Sequence, residues 1–304
     1  MPANWLPLSY GAWQETCDTL HAHTQALGKI AVALAPHEPQ LLHGALRLTA
    51  RGWETRILPA PNGSGAFVAA LDLHRHEATL EHSAGSVATI ALTPHRSVGE
   101  VTRELLERAR ELAGDFEINP KPAEVPWSVP LDEDDEHAHY EPHEVETYFA
   151  AATQAALVLA DYRAPYRGRS TPVNAWWGSF DLAVSLYSGE TAKPPAEDFI
   201  TRNAMDAQEV AVGWWPGDAR HDQAAFYAYT HPAVDRFSEL ELPYGGWNAD
   251  LGEYVLEWDA VRSAPDPHRA AVDFARRVFR HACATCEWDP TLAASADGTP
   301  PPVR

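Results

Sequence analysis

The chain has 304 residues, of which 45% are apolar and 22% are charged, a composition usual for one large globular domain or two of ordinary size. Its formal net charge of −20 makes nucleic acid and anionic membrane surfaces unfavourable partners, and no basic run offsets that charge. No apolar stretch reaches the roughly 20 residues that span a bilayer, and the N-terminal sequence MPANWLPLSY lacks a secretory signal, so we expect a cytoplasmic protein.

The first half of the chain is predicted to run from a helix through several strands to a second helix. Apolar residues recur with helical spacing over residues 10–34. The segment 41–60 is predicted to be extended, and 66–92 to form two or three strands joined in part by the turn HSAG. A second helix is expected to begin at Ser97, because Glu100 three residues later completes a capping box.

The second half repeats this order after a Pro-rich, acidic connector. A helical pattern is followed by strand-like segments and a closing helix capped by Asp266 or Ser263. The predicted division of the chain is an N-terminal half over 1–120, the connector over 121–143, a C-terminal half over 144–289 and a disordered tail over 290–304.

These elements predict an α+β fold of two tandem halves, each helix – antiparallel strands – helix. Short matches in the same order, such as QLLHGALRL over NAWWGSFDL, indicate an internal duplication. We expect the halves to pack around a pseudo-twofold axis, with a ligand in a cleft between them.

A row of polar residues on the first helix is the first candidate site. His21, Gln25 and Lys29 follow one another at helical spacing and therefore share a face. They are predicted to bind a carboxylate or phosphate, with Lys29 supplying charge and His21 a switchable proton. The alternative is a solvated helix face.

Carboxylates near tryptophans form the second candidate site. On a strand, Trp177, Ser179 and Asp181 share one face, and an inward Asp beside Trp is a candidate general base. Glu209, near Trp215 in QEVAVGWWPGD, is a candidate general acid or base. The alternatives are an Asp that bonds backbone at a strand end and a structural Trp-Pro-Gly turn.

Histidines next to acids raise the possibility of a metal centre. The candidate ligands are His43, His74, His76 and His137; His74 and His76 share a strand face as a possible ligand pair, for which the sequence identifies no third ligand. The alternative is a solvated, charged loop anchored by Tyr140. The motifs of serine hydrolases, NTPases, zinc peptidases and dinucleotide-binding enzymes are absent from the sequence, so it identifies no cofactor.

Several motifs together resemble a widespread bacterial family of uncharacterised proteins, a domain-of-unknown-function family. They are TLHAHTQALGK, SVGEVTREL, DEHAHYEP, WGSFDLAV, GWWPG and LGEYVLEWDAVR. The resemblance extends from about Trp13 to Trp288 and implies no activity. The positions that match the family pattern include His21, His43, His76, His137, Tyr140, Asp181 and Glu209.

The chain departs from this family pattern where the resemblance implies histidines. Gln40, Asn174 and Gln208 stand at those positions. Carboxamides are poor metal ligands and do not shuttle protons near neutral pH. If relatives use those histidines as ligands, this chain has lost the metal or changed its role.

Three functions follow as hypotheses. The first is an enzyme that acts on a small polar metabolite by acid–base chemistry in an aromatic-lined cleft. His21, Asp181 and Glu209 would be catalytic, and the ligand contacts would come from Gln25, Lys29, His43, Trp177, Ser179 and Trp215. The second is a non-catalytic small-molecule binding protein, and the third is a metal-dependent enzyme with His ligands.

Overall fold

A computed structural model of the protein describes residues 5–295. The chain divides into two compact units. The N-terminal unit contains Tyr10–Phe149 and a short later segment, Ala175–Asp181. Among the described residues, the C-terminal unit contains 5–9, Ala150–Asn174 and 182–295. Neither unit is therefore a single continuous stretch of sequence.

The N-terminal unit begins with a long helix, α1 (Tyr10–Leu34), as the helical spacing predicts. On this helix, the apolar side chains of Leu20, Leu27 and Ile30 are completely buried. The helix bends at Trp13, whose φ of −139° is not helical. A short 3-10 helix, Pro39–Gly44, follows α1 and includes part of the segment that was expected to be extended.

An antiparallel sheet forms the rest of the regular structure of this unit, together with helix α2. The strand order is β1-β2-β4-β5-β6, and β3 pairs with β4. The strands are β1 (Arg47–Leu48), β2 (Gly52–Glu54), β3 (Leu58–Pro59), β4 (Ala66–Asp72), β5 (Glu77–His82) and β6 (Val87–Ala91). The predicted turn HSAG joins β5 and β6, so the sequence located this hairpin correctly.

Helix α2 (Val98–Ala113) confirms the predicted capping box. Ser97 accepts a hydrogen bond from the Glu100 backbone N–H, and the Glu100 carboxylate accepts one from the Ser97 backbone N–H. Both donors would otherwise be unpaired at the helix start. Helix α2 packs on α1 and on strands β5 and β6, so the core lies between the helices and the sheet.

The connector after α2 is irregular but well anchored. Leu131 and Tyr140 are buried within the N-terminal unit, and Tyr140 donates to or accepts from His76 Nδ1 at 3.1 Å. Helix α3 (Pro142–Arg163) then begins in the N-terminal unit and continues into the C-terminal one. The chain returns to the N-terminal unit within the short strand β7 (Asn174–Trp176), because Asn174 belongs to the C-terminal unit and Ala175 to the N-terminal one.

A second antiparallel sheet forms the C-terminal unit, with the order β11-β12-β10-β9-β8. Its strands are β8 (Asp181–Thr191), β9 (Ala207–Trp215), β10 (Ala225–His231), β11 (Gly246–Asn248) and β12 (Glu253–Glu257). Helix α6 (Pro267–Thr285), capped by the Asp266 side chain, packs on β9, β10 and β12. Shorter helices complete the unit: α4 (Phe199–Ala204), a 3-10 helix (Asp235–Glu239), α5 (Trp258–Arg262) and α7 (Pro290–Ser295).

The predicted mixed α+β class with antiparallel sheets is therefore confirmed. Residues 290–295, the start of the predicted tail, form helix α7, whereas 296–304 lie outside the described residues. Within residues 5–295, none of the helices combines the length and the apolar character needed to cross a bilayer.

Candidate functional site

The polar row on α1 faces the protein interior, and two of its members bind other chain segments. His21 is buried, and its Nε2 lies 2.9 Å from the Trp177 carbonyl oxygen and 3.0 Å from that of Gly178. Because a carbonyl oxygen only accepts, Nε2 carries the proton and donates. His21 therefore holds the segment 175–181 against α1.

Gln25 holds the connector in the same way. Its side-chain amide donates to the Ala123 carbonyl oxygen at 3.0 Å, and its carbonyl oxygen accepts from the Ala123 N–H at 2.9 Å. A fully buried carboxamide thus pairs both polar groups of one backbone residue. The ligand-binding role predicted for Gln25 stays a prediction, and its structural role is evident.

Lys29 lies over the Trp177 ring, with Nζ 5.0 Å from the ring centroid. Partial burial lowers the pKa of Lys29 to about 8, with a smaller contribution from Lys121. The Trp177 indole N–H donates to the Gly44 carbonyl oxygen at 3.0 Å. A Cβ added at Gly28 would lie 2.0 Å from Trp177 Cγ, so the ring packs directly on the helix backbone.

The Trp-rich segment, predicted to be a strand or a pair of strands, forms two strands separated by a turn over residues 177–180. Strand β7 ends at Trp176 and β8 begins at Asp181. Trp177 is buried, whereas Ser179 is exposed, so the predicted shared face is not formed. The reversal depends on Phe180, whose φ of +57° lies in the left-handed region that a bulky residue rarely adopts.

Ring stacking stabilises this unusual backbone conformation. Phe180 stacks with His21 at 4.9 Å, with Tyr148 at 5.1 Å and with Trp53 at 5.3 Å between centroids. Asp181 follows at once, is buried, and accepts a hydrogen bond from the Ser179 hydroxyl. His21 and Asp181 are thus both near Phe180 in the N-terminal unit, and their catalytic roles stay predictions.

A histidine–carboxylate pair at the end of the connector is a further feature of this unit. His137 Nδ1 lies 2.7 Å from Asp134 Oδ2, and Asp134 Oδ1 accepts from the backbone N–H groups of Glu136 and His137. Asp134 is 2% exposed, so this carboxylate is held rigidly behind the imidazole. Its hydrogen bond raises the pKa of His137.

A single indole connects this pair to the polar row. The Trp127 ring lies 4.5 Å from the His137 ring and 5.2 Å from the His21 ring, between centroids. Trp127 thereby forms an apolar wall beside His137, in a connector that contains many prolines and acids. Aromatic packing of this kind fixes an imidazole in place.

His137 borders a cleft with a volume of about 320 Å³ in the N-terminal unit. The cleft lies between the first part of α1, the loop before α2 and the end of the connector. Its lining residues are Gln14, Glu15, Asp18, Thr19, His95, Glu136, His137, Ala138 and His139. This volume admits a small metabolite, and every lining residue except Ala138 has a polar side chain.

Asp18 is the most deeply placed carboxylate of this cleft. Its oxygens accept hydrogen bonds from the Tyr10 hydroxyl at 3.0 and 3.1 Å. Burial raises the pKa of Asp18, although hydrogen bonds from Tyr10 and Gln14 and the nearby His137 oppose that effect. The cleft therefore contains a carboxylic acid and an imidazole whose proton affinities are both increased.

Glu209 lies in the C-terminal unit, on strand β9, which pairs with β8 and β10. It pairs across the sheet with Tyr187 on β8 and with His231 on β10, and all three residues are buried. Burial raises the pKa of Glu209 to about 7, although a hydrogen bond from Ser185 opposes the effect. Trp215 is at the other end of the same strand, roughly 20 Å away at the usual rise per residue, so the two residues do not form one site.

The four candidate metal ligands form hydrogen bonds with separate partners and do not form one cluster. His43 Nδ1 accepts from the Glu38 N–H at 3.2 Å, and His74 Nε2 donates to the Ala50 carbonyl oxygen at 3.2 Å. His76 and His137 bond Tyr140 and Asp134, as described above. Within residues 5–295, no group of three or more His, Cys, Asp or Glu side chains is placed to hold a metal ion.

Comparison with protein families agrees with the resemblance seen in the motifs. The model of a family of unknown function, DUF5996, matches residues 5–295. The chain belongs to the DUF5996 family. No curated protein and no solved structure shows significant similarity to it.

In this DUF5996 protein, sequence reasoning missed Asp18 and the pairing of His137 with Asp134. The acidic run before His137 reads as a solvated loop, but an Asp three residues before a His can fold back on it in an Asx turn. That spacing was the available signal for the pair. Asp18 carried no comparable signal, because its place in the cleft depends on the tertiary fold.

Proposed function

We propose that this protein is an enzyme that acts on a small polar metabolite by acid–base chemistry. The observation that carries the proposal is the cleft of about 320 Å³ in which the Asp134–His137 pair and Asp18 converge. A general acid or base needs a pKa that suits the working pH, and the pKa values of both His137 and Asp18 are raised by their surroundings.

The roles follow from the hydrogen bonds. Asp134 accepts the Nδ1 proton of His137 and fixes the tautomer, so Nε2 is the nitrogen that exchanges a proton with the substrate. Asp18 supplies the second proton-transfer group, and Tyr10 holds its carboxyl in place. Trp127 shields one side of the imidazole from water. His21 acts behind this wall by holding the segment that contains Asp181.

A metabolite screen tests the proposal. The protein is incubated with pools of small polar metabolites, and loss of each compound and formation of product are followed by NMR. His137→Asn should reduce turnover by about a hundred-fold or more, since general acid–base groups contribute on that order. His143→Asn is the matched control, because its side chain is 91% exposed and does not line the cleft.

The outcomes separate the hypotheses. Full turnover by His137→Asn would refute the acid–base role of this residue. A metabolite that binds in the cleft but is never converted would favour the non-catalytic binding protein. Stoichiometric metal in protein purified without a tag would favour the metal-dependent enzyme, against the lack of a ligand cluster within residues 5–295.

We also infer that the two halves arose by duplication. The shared order of helix, antiparallel strands and helix supports this proposal, as do the short sequence matches. The pseudo-twofold arrangement of the halves stays a prediction.

A further inference from the structure

We propose that the cleft takes a cationic ligand, an amine or guanidine of small size, and that Asp18 binds its positive group. The inference rests on the proposed function in one respect, since both place the ligand in the same cleft. It goes further by naming the chemical class of that ligand.

The distribution of charge around the cleft is the first argument. Three carboxylates line it, those of Glu15, Asp18 and Glu136, and neither lysine nor arginine is among its lining residues. The remaining titratable groups that line it are three imidazoles, of which His137 is paired with Asp134 and His139 lies 3.7 Å from a Glu15 carboxylate oxygen. An anionic substrate would meet repulsion here, whereas a cation would be attracted.

The environment of Asp18 is the second argument. The hydrogen bonds that its carboxylate accepts come from two neutral groups, the Tyr10 hydroxyl and the Gln14 side chain. Burial disfavours the charge of this carboxylate, and the coulombic attraction that opposes this effect comes from the titratable imidazole of His137. A ligand ammonium would supply the missing countercharge, because a charge-assisted hydrogen bond is stronger than a neutral one.

The bend in α1 explains how this arrangement is built. Tyr10 and Asp18 are eight residues apart, farther than two side chains on a straight helix normally reach. The non-helical backbone at Trp13 turns the first residues of α1, and the Tyr10 hydroxyl then reaches the carboxylate. Asp18 is thereby fixed at the cleft with a defined orientation before any ligand binds.

The test compares three probes of the same chain length: putrescine, the corresponding diol and succinate. Binding to the full-length protein is measured by calorimetry at one ionic strength. Putrescine should bind about ten-fold or more tightly than the diol, and succinate should bind no better than the diol, as expected for a charge-assisted contact. Equal affinity for putrescine and the diol would overturn the inference.

Substitutions then assign the effect to Asp18. Asp18→Asn should weaken putrescine binding by about ten-fold and leave diol binding unchanged, since one charge-assisted contact is lost. Glu107→Gln on the exposed side of α2 changes net charge equally and should leave both affinities within about two-fold. Unaltered putrescine binding by a folded Asp18→Asn variant would refute the assignment.

Three further outcomes complete the test: the first covers a folding failure, and the other two separate the inference from the proposed function. If Asp18→Asn fails to fold, Glu136→Gln should still weaken putrescine binding, because Glu136 is exposed and lines the same cleft. If putrescine binds as expected but no metabolite is turned over, the catalytic proposal fails and the cation site stands. If a neutral or anionic metabolite is turned over at His137 without a preference for cations, the reverse holds.

Discussion

The substitution Glu209→Gln tests whether burial of the Glu209 carboxyl group makes the stability of the protein depend on pH. The carboxyl group lies on strand β9, buried between Tyr187 and His231 on the neighbouring strands. Glutamine has nearly the same shape, can still accept a hydrogen bond from Ser185, and has no charge to bury. The variant therefore removes ionisation while keeping the packing.

The magnitude follows from the pKa. Glu209 has a pKa of about 7 in the folded protein and 4.5 as its ordinary value, because burial penalises the charged form. Stability linked to this group is fully present below pH 4.5 and is lost as the pH rises through 7. The complete loss corresponds to about 3 kcal/mol of the free energy of unfolding.

Urea unfolding followed by circular dichroism measures this effect at a series of pH values. Near pH 5 the wild type and Glu209→Gln should be similarly stable, and near pH 8 the variant should be more stable by about 3 kcal/mol. Glu190→Gln, an exposed change on the neighbouring strand β8, is the control and should show no such difference. A difference between Glu209→Gln and wild type that does not depend on pH would refute the reasoning.

Three further predictions concern the N-terminal unit. Gly28→Ala should lower the free energy of unfolding by about 3 kcal/mol, because the new Cβ would overlap the Trp177 ring; Gly246→Ala, with nothing within 4 Å, should change it by less than about 0.5 kcal/mol in the same urea assay. Asp134→Asn should lower the pKa of His137, measured by NMR titration of the imidazole, and an unchanged midpoint would contradict the pairing. Trp177→Phe should cost about 1–3 kcal/mol in urea unfolding, because a buried carbonyl oxygen loses its donor; an unaffected stability would show that water replaces the indole.

Local patterns predicted those elements whose causes are local. The capping box at Ser97 and Glu100 fixed the start of α2, since its two hydrogen bonds join residues three apart. Apolar spacing predicted α1, and the alternation around HSAG predicted a hairpin. Each of these signals depends on neighbours within a few positions in sequence, so no knowledge of the tertiary fold was needed.

The turn at residues 177–180 could not be predicted in this way. A strand pattern covers the segment, and Phe180 adopts a left-handed backbone only because distant rings stack on it. The polar row on α1 has the same origin, since the partners of Gln25 are about a hundred residues away. Tertiary packing overrode the local preference at both places.

The candidate site shows the same difference between features with local causes and features that depend on tertiary packing. The structure brings His21 and Asp181 near a common aromatic residue, Phe180, although 160 positions separate them, and the catalytic cleft that the sequence predicted for both stays a prediction. Sequence reasoning missed Asp18, whose place in the cleft depends on how α1 packs against the loop before α2 and the end of the connector. Residues capable of acid–base chemistry could be recognised in the sequence, but which of them lie close together depends on the tertiary fold.

The discontinuous make-up of the N-terminal unit has a consequence for biosynthesis. Its last component, Ala175–Asp181, is translated after the whole of α3, and until then Trp53 and Tyr148 lack the Phe180 ring that stacks on them. An emerging chain therefore exposes apolar rings that a folding chaperone would recognise until this segment leaves the ribosome. A gene fragment that stops at the connector would yield a product in that same unfinished state.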